Sequence, residues 1–593
     1  MSRPFEQINY GSDDALAAWP DASRDVLVIS TGAGAEAKRT GRPAPPLQLT
    51  AASLRLLAGS ARVLRPGGLL FVYGTPPELA LWGEALLGAR GHSGPMVFKY
   101  WIALDLDDAL TAGFLKPTHR GLLLFLKGNP DKKTPPVLRL NVDAARTPHA
   151  YCTACGNTLK DWGGKRHLMN PRGAALGDVW RDLPRRHLIN GVLPDDVLQR
   201  VARLADAAPG QGLHVVQTSP GLAAGEGRDA LRLVAEPPAS LNDFRKLTSL
   251  KMNHVHVGDC VAFLRRVKQL HPDGIFDLAF ADPPYNLEKR YGNWDDALAE
   301  QHYLDWCNAW LDGMAATLKP GGSLLVLNLP KWAVQHAAFL HRRLDFRHWI
   351  VWDALSDPRG KLMPAHYALL YYTKPGGEPV CNVAAPGVPA PDGFVLPPDA
   401  PKYCLRAKCV QTRKLAGDDA KVPLADVWFD IHRIKHKRDR DAHPCQLPEK
   451  LMERIIRLTT RPGDVVFDPF CGAGTTAIAA VKLGRKFVVT DVDADYARIT
   501  AAKLAAMKQS ARQSGISAVP RNSVLRPRRA GSKRGIELYL QQLAGRLGRR
   551  PTEADVQADN PEVLRQIDAT YVNRGAAFKR SKVALAKPAS PPR

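Results

Sequence analysis

Phe276-Asp277-Leu278-Ala279-Phe280-Ala281-Asp282-Pro283-Pro284-Tyr285 decides the reading of this 593-residue chain. Phe276 to Ala281 is a short apolar run with a single acid near its head, the pattern of a buried strand closed by a breaker. Two prolines in succession each fix φ and remove an amide donor, so the strand stops at Asp282. The stiff turn that follows carries a carboxylate, a carbonyl and an aromatic ring away from the sheet. That shape suits a flat heterocycle bearing an amino group, although the same four residues in isolation also describe an ordinary proline turn.

Working outward, the stretch is the second of two similar ones. Asp25-Val26-Leu27-Val28-Ile29-Ser30 matches Asp277 to Asp282 in pattern, and Leu64-Arg65-Pro66-Gly67-Gly68 matches Leu318-Lys319-Pro320-Gly321-Gly322. Lys116-Pro117-Thr118-His119 matches Met363-Pro364-Ala365-His366, and Asp178-Val179-Trp180 matches Asp426-Val427-Trp428. The separations are 252, 254, 247 and 248 residues, in one order along the chain. A near-constant offset of this kind marks an internal duplication. Each copy alternates apolar runs with helical patterns, which predicts an α/β fold with a mostly parallel sheet. Where the second copy has Asp282-Pro283-Pro284-Tyr285, the first has Ser30-Thr31-Gly32-Ala33 and so keeps the scaffold without the chemistry. Residues 375–440, rich in Pro and Gly and then basic, read as a loop-rich insert outside the sheet.

A second motif lies downstream. Asp464-Val465-Val466-Phe467-Asp468 reads as a strand, Pro469-Phe470-Cys471-Gly472-Ala473-Gly474 as a tight turn, and Thr475 onward as an Ala-rich helix. Glycines there let a ligand approach the backbone, beside the unpaired amides of a helix N-terminus. The next strand, Lys486-Phe487-Val488-Val489-Thr490-Asp491, ends in an acid 23 residues after Asp468, near the spacing of a ribose-binding carboxylate in nucleotide-binding βαβ units. The loop follows neither Gly-x-Gly-x-x-Gly nor the phosphate-loop pattern with Lys-Ser/Thr. It is better suited to a ligand with an adenosine and no phosphates.

Asp282-Pro283-Pro284-Tyr285 resembles the catalytic motif of the amino-methylating DNA methyltransferases, which use S-adenosylmethionine and act on the exocyclic nitrogen of adenine or cytosine. Asp468 to Thr476 resembles their cofactor loop, and His443-Pro444-Cys445-Gln446-Leu447-Pro448-Glu449 the segment preceding it, with Cys445 and Leu447 in place of the usual Thr and Lys. Catalytic motif, target-recognition insert and cofactor loop follow the order of the family's beta group. The resemblance covers 250–508 and, weakly, the first copy. It implies two tandem Rossmann-like S-adenosylmethionine-dependent units, a degenerate one at 1–235 and a catalytic one at 250–508 with 375–440 as target-recognition insert. Asp282 and the Pro283 carbonyl are expected to accept the hydrogens of the target amino group, Pro284 to stiffen the turn, and Tyr285 to stack on a base swung out of duplex DNA. Asp468, Phe470, Gly472, Gly474 and Thr475 are expected around the methionine end of the cofactor, Asp491 at its ribose, and Asp259 at its adenine. Asn286 and Trp294 are candidates for the pocket mouth, and His443 for a cofactor contact. In the family Asp-Pro-Pro-Tyr goes mostly with adenine, so site-specific N6-adenine methylation is expected, within a restriction-modification setting whose nuclease is open. N4-cytosine methylation, an RNA substrate and a catalytically inactive DNA-binding protein are the alternatives.

Composition agrees with a polyanionic partner. Net charge is +24, from 82 Lys and Arg against 58 Asp and Glu. The segment 521–593 carries 16 Lys and Arg against 6 Asp and Glu. It reads as a basic, helical DNA-binding tail, with Pro551-Thr552-Glu553 as a helix start. Leu547-Gly548-Arg549-Arg550-Pro551-Thr552 faintly resembles the small helical DNA-binding repeats attached to homing endonucleases. The Met1 end shows no apolar signal segment, and no run approaches the ~20 apolar residues of a membrane span, so a cytoplasmic protein is expected. Nine cysteines in so long a chain form no secreted disulfide framework. Cys152 and Cys155 make half of a zinc site, and Cys404 and Cys409 fall at the matching place in the second copy, so close packing of the copies would gather four thiolates around one Zn²⁺.

Overall fold

Runs of Val, Leu, Ile and Phe bounded by Gly, Pro and Asp become strands buried on both faces, as a sheet covered by helices on both sides requires. The computed structural model describes residues 6–9, 16–32, 47–88, 95–106, 114–129, 137–159, 166–184, 193–207, 213–220, 222–224, 244–288, 296–354, 361–362, 366–383, 402–417, 422–434 and 446–513, and part of 536–567. His443, Cys445 and Trp294 lie outside the described residues. Residues Met1–Val519 form one compact unit and Pro520–Arg593 another.

The N-terminal half holds β1 (Glu6–Asn9), β2 (Arg24–Gly32), β3 (Leu47–Leu49), β4 (Leu64–Gly74), β5 (Met96–Asp105), β6 (His119–Lys127), β7 (Val179–Trp180), β8 (Leu213–Pro220) and β9 (Leu222–Ala224). Its helices are α1 (Ala51–Val63), α2 (Pro76–Gly88) and α3 (Asp195–Leu204). The C-terminal half holds β10 (His254–Val257), β11 (Phe276–Ala281), β12 (Leu318–Asn328), β13 (Asp345–Trp352), β14 (Tyr367–Thr373), β15 (Val427–Trp428), β16 (Val465–Asp468) and β17 (Lys486–Asp491). Its helices are α4 (Cys260–Leu270), α5 (Glu300–Thr317), α6 (Pro330–His341), α7 (Ala407–Leu415), α8 (Glu449–Thr459), α9 (Thr475–Lys482) and α10 (Ala494–Gln513).

The first sheet runs β1-β8-β2-β4-β6-β5-β7 and the second β10-β17-β16-β11-β12-β14-β13-β15, while β3 and β9 pair separately. Read from β7 and β15 inward, the two orders coincide in place and chain order as far as β8 and β16; beyond them β1, the first strand of its half, stands where the other sheet has β17, the last of its half, and β10 has no strand at its position. In each sheet one strand, β6 or β14, is antiparallel to both neighbours, and the other pairings are parallel. Smaller features repeat as well. Arg200 grips Asp182 at 2.8 and 2.6 Å while lying over the Trp180 ring, and Arg454 grips Asp430 at 2.8 and 2.5 Å over the Trp428 ring. The 375–440 segment is not wholly outside the sheet. It supplies α7 and the edge strand β15, which pairs with β13 over two residues, too few to show a periodic signal in the sequence.

The halves interlock by exchanging acids. Both oxygens of Asp178 accept the His366 backbone amide at 3.1 Å, and one also meets its ring nitrogen at 3.1 Å. Reciprocally, Asp426 accepts the amides of Thr118 and His119 at 2.9 and 3.0 Å. Trp101 and Trp349 stack at 3.7 Å between these two exchanges. Helices α2 and α6 close the contact where Gly83 faces Val334, at a spacing that leaves no room for a Cβ (2.4 Å). Arg342 holds Glu84 through both guanidinium nitrogens. Among the described residues no helix is long and apolar enough to cross a membrane.

Asp426 is fully buried and holds its charge although burial opposes it, because His348, His119 and the Thr118 amide all favour the carboxylate. Asp426→Ala leaves the buried His119 amide without its acceptor and the Thr118 amide with only the Lys116 carbonyl at 3.1 Å, so it should cost about 3 kcal/mol of stability. Asp25→Ala, which breaks an exposed pair with Arg65, should cost under about 0.5 kcal/mol. Calorimetric melting of the two variants checks the contrast, and equal shifts would refute it.

Candidate active site

Strands β11 and β16 lie side by side, paired through Leu278 with Val466 and Ala279 with Phe467. From β11 the chain continues to β12 on one side, and from β16 to β17 on the other. Diverging connections open a crevice beyond the carboxyl ends of the two strands, the usual ligand position in open α/β sheets. The proline turn leaves one strand there and the glycine loop leaves the other. Both line one cleft of about 1170 Å³, open solvent at its mouth included.

The proline turn is held from behind. Tyr303 donates its hydroxyl to the Pro284 carbonyl at 2.7 Å, and the Trp332 indole donates to the Tyr285 carbonyl at 2.9 Å. Asn328 supports Tyr303 at 3.3 Å and meets His336 at 3.1 Å. Among the described residues none donates to the Pro283 carbonyl. Tyr285 donates its hydroxyl to Asp282 Oδ1 at 2.5 Å, and since a carboxylate offers about four lone-pair sites, capacity to accept remains. The Tyr285 ring is nearly buried, 5.8 Å from the Tyr367 ring. Asn286 does not line the cleft. It sits at φ 55° and spends its side chain on Leu298, while Asp296 takes the amides of Asn286 and Leu287.

The glycine loop is tied down as tightly. Asp468 accepts the Thr476 hydroxyl at 2.5 Å and the Phe470 amide at 2.9 Å. Asp491 accepts the amides of Gly472 and Asp493 at 2.8 and 2.9 Å. From α10, Thr500 and Lys503 donate to the carbonyls of Gly472 and Ala473. Gly474 is absent from the cleft wall. It caps α9 at φ 84°, and an added Cβ would stand 2.6 Å from Thr500, so close packing and a left-handed backbone require glycine there, not a ligand. Asp259 lines the cleft and also caps α4 through the Ala262 amide. Phe470 lines it too, with its ring against Trp306 and Trp310.

The remaining expected residues, Asp282, Pro283, Pro284, Tyr285, Asp468, Gly472, Thr475 and Asp491, all line the same cleft. Trp306, Asp493 and Tyr496 join them without having been expected. Asp493 and Tyr496 stand just after the strand-terminal acid, where α10 begins, so a signal existed for them. Trp306, on α5, has none in the sequence.

Charge in the cleft has one sign. Asp259, Asp282, Asp468, Asp491 and Asp493 line it, and among the described residues no Lys, Arg or His does. Burial pushes the Asp468 carboxyl up to about 7, its bonds from Thr476 and Phe470 opposing and the nearby Asp491 charge adding. Burial likewise pushes Asp491 up to about 6 against its two amide bonds. Such a wall favours a cationic ligand and disfavours phosphates.

Comparison with known proteins points to the same half. The family model for DNA methylases of the N6/N4 type matches residues 276–502. The type II methyltransferase M.BamHI of Bacillus amyloliquefaciens is 36% identical over 261 residues, which are 42% of this chain and 58% of that protein. The DNA adenine methyltransferase YhdJ of Escherichia coli (strain K12) is 27% identical, over 41% of this chain and 79% of its own length. The type II methyltransferase M1.MboII of Moraxella bovis is 30% identical over 257 residues, which are 42% of this chain and 94% of that protein. With nearly the whole of that last relative matched at this identity, the chain belongs to the N6/N4 DNA methylase family.

Proposed function

We propose that residues 250–508 transfer the methyl group of S-adenosylmethionine to the exocyclic N6 of adenine in DNA. The observation that carries this reading is the meeting of the proline turn and the glycine loop in one cleft whose charged side chains are all carboxylates. S-adenosylmethionine fits that donor set: its sulfonium and ammonium are cations and it has no phosphate. When bound, it supplies a methyl group already activated by its positive sulfur.

The chain's own residues do the rest. In this reading Asp491 accepts the ribose hydroxyls, and Asp468 lies at the methionine end, where its carboxylate form attracts the cation. Gly472 lets the loop backbone come close. An aromatic amino group is a poor nucleophile because its lone pair is delocalised into the ring. Asp282 and the Pro283 carbonyl each accept a hydrogen bond from one of its N–H groups, which localises the lone pair and aims it, and the proton that the nitrogen sheds on methylation leaves to solvent. Pro283 and Pro284 fix the distance between these two acceptors, so positioning and electrostatics carry the catalysis. A base inside a duplex cannot reach the cleft and must be flipped out, with the Tyr285 ring beside it.

Adenine is favoured because the turn begins with Asp and because a relative is named for adenine methylation. Residues 1–235, with Ser30-Thr31 at the turn position and a matching strand order, act in this reading as a degenerate copy that supports the catalytic half. The C-terminal unit has its own small apolar core, Ile536, Leu540, Leu543, Val556, Val563, Leu564 and Ile567. Its helix α11 (Glu553–Asp559) starts on a capping box between Thr552 and Asp555. We read it as a DNA-binding module.

Three outcomes are expected. Asp282→Ala should lower kcat by about 100- to 1000-fold with little change in cofactor affinity, read by labelled methyl transfer to DNA. Nucleoside mass spectrometry of the product should give N6-methyladenine. N4-methylcytosine would overturn the choice of base, and an unchanged rate the role of Asp282.

The second concerns pH. Raised above their unfolded values, Asp468 and Asp491 bind protons more readily in the empty folded protein, so they favour folding in acid and lose that contribution as pH rises through about 6 to 7. A cation in the cleft stabilises their charged forms. Cofactor binding near about pH 6.5 should therefore release protons, and affinity should fall as pH is lowered through that window. Calorimetry in buffers of different ionisation enthalpy measures the release, and proton uptake would contradict it.

Third, removing 521–593 should weaken duplex binding and flatten its salt dependence by about 0.9 in log–log slope for each phosphate that the tail neutralises. A titration series over salt concentration reads both, and an unchanged slope would exclude the tail from DNA contact.

A further inference from the structure

Away from the cleft, four cysteine sulfurs from opposite halves of the chain meet. The Sγ atoms of Cys152, Cys155, Cys404 and Cys409 all lie within 4.8 Å of one another. Cys152 is 3.7 Å from Cys409, and Cys155 is 3.7 Å from Cys404. A tetrahedral Zn²⁺ with sulfur at about 2.3 Å sets neighbouring sulfurs about 3.8 Å apart. A disulfide would draw one pair to about 2.05 Å and leave the others apart. Four sulfurs at comparable mutual distances are the arrangement a single metal needs.

The backbone on both sides is shaped to present them. In the first loop the Cys152 amide donates to Asn157 and the Gly156 amide donates back to Cys152, with Gly156 at φ 66°. This tight turn brings Cys152 and Cys155 to one side, at the Cys-x2-Cys spacing of zinc knuckles. Asn157 adds an amide donor 3.4 Å from the Cys155 sulfur, the kind of outer partner that orients a thiolate ligand. In the second loop Cys404 precedes α7 and Cys409 stands in its first turn. The loops are also sewn together: Thr153 donates its amide to Lys402 at 2.9 Å, and Arg406 donates to the Thr158 carbonyl at 2.6 Å. Cys152, Cys404 and Cys409 are buried, with Leu159 and Tyr403 packed against them, while Cys155 stays exposed at the rim and leaves a way in. Tyr151-Cys152 and Tyr403-Cys404 are 252 residues apart, the offset of the larger repeat.

We infer that these four cysteines hold one structural Zn²⁺ as a clasp between the two halves, each half giving two thiolates. Each thiol gives up its proton to solvent when the metal binds. None of the four lines the cleft, so the metal takes no part in methyl transfer. Its work is mechanical. It pins residues 402–417, inside the segment read as the target-recognition insert, to residues 150–159 of the N-terminal half.

The test does not depend on enzymatic activity. Full-length protein purified in reducing buffer without chelator or added metal should carry about one zinc per chain by elemental analysis. Cobalt-exchanged protein should show the intense visible bands of a tetrahedral tetrathiolate site. Cys155→Ser, at the exposed rim, should fold with an unchanged far-ultraviolet spectrum and lose most of the metal. Cys155→Ser with Cys409→Ser should lose all of it, while Cys381→Ser, outside the cluster, should keep it. Stripping the metal should make 402–417 accessible to protease. Folded wild-type protein without metal, a peptide map with disulfides among these four cysteines, or full metal content in the double variant would each overturn the clasp.

Discussion

The structure depends on the contact between β11 and β16, two parallel strands paired over only a few residues. Asp277, near the start of β11, reinforces it. Its carboxylate accepts the Val465 amide at 2.8 Å and pairs with Lys319 at 2.8 Å, tying β11 to the neighbouring strand on each side. Below, the rings of Phe276 and Phe467 stack at 4.5 Å, with Phe263 stacked on Phe467 at 5.8 Å. Register is thereby fixed where the chain's connections diverge. The proline turn and the glycine loop inherit their separation from that register. A slip of one residue would reverse every side chain of β11 and turn Asp282 away from the crevice.

The N-terminal half makes this geometry hard to deform. Interfaces between like partners are self-complementary, each giving the patch the other receives. The exchange of Asp178 for Asp426 has that form, although both patches belong to one chain. Buried and hydrogen-bonded on both sides, it ties β7 to the segment entering β14 and β15 to the start of β6. The sheet that carries the proline turn thus packs against the N-terminal sheet, which has Ser30 and Thr31 where the C-terminal one has Asp282 and Pro283.

How much of this was legible in the sequence follows from the physics of each signal. Strands β11 and β17 match their expected bounds because continuous apolar runs closed by Pro or an acid leave little freedom. The repeat reads in the sequence through four short landmarks at near-constant spacing, and the structure gives the two halves similar strand orders. The four cysteines were visible as a set only through that repeat, since two of them alone are no ligand set. Strand β15 was missed as part of the sheet because two residues carry no period. Gly474 was assigned to the ligand because a glycine signal is the same whether the close neighbour is a cofactor or, as here, Thr500. Tyr303 and Trp332, which hold the proline turn, act across 19 and 47 residues, separations that no local pattern records.

Electrostatics then sorts the two ligands proposed for this protein. The chain as a whole is strongly cationic, which draws a polyanion to its surface and raises encounter rates at low salt. The cleft is the opposite, five carboxylates with no basic side chain among its described lining residues. In the proposed reading a DNA backbone attracted to the exterior is disfavoured at the cleft, because a phosphate there meets carboxylates and no basic side chain among the described lining residues. A neutral base has no such penalty, and its amino group is a donor facing acceptors. In that reading the same field that disfavours phosphates admits the neutral base to be methylated and favours a cationic methyl donor beside it, with no lysine or arginine among the described lining residues to compete.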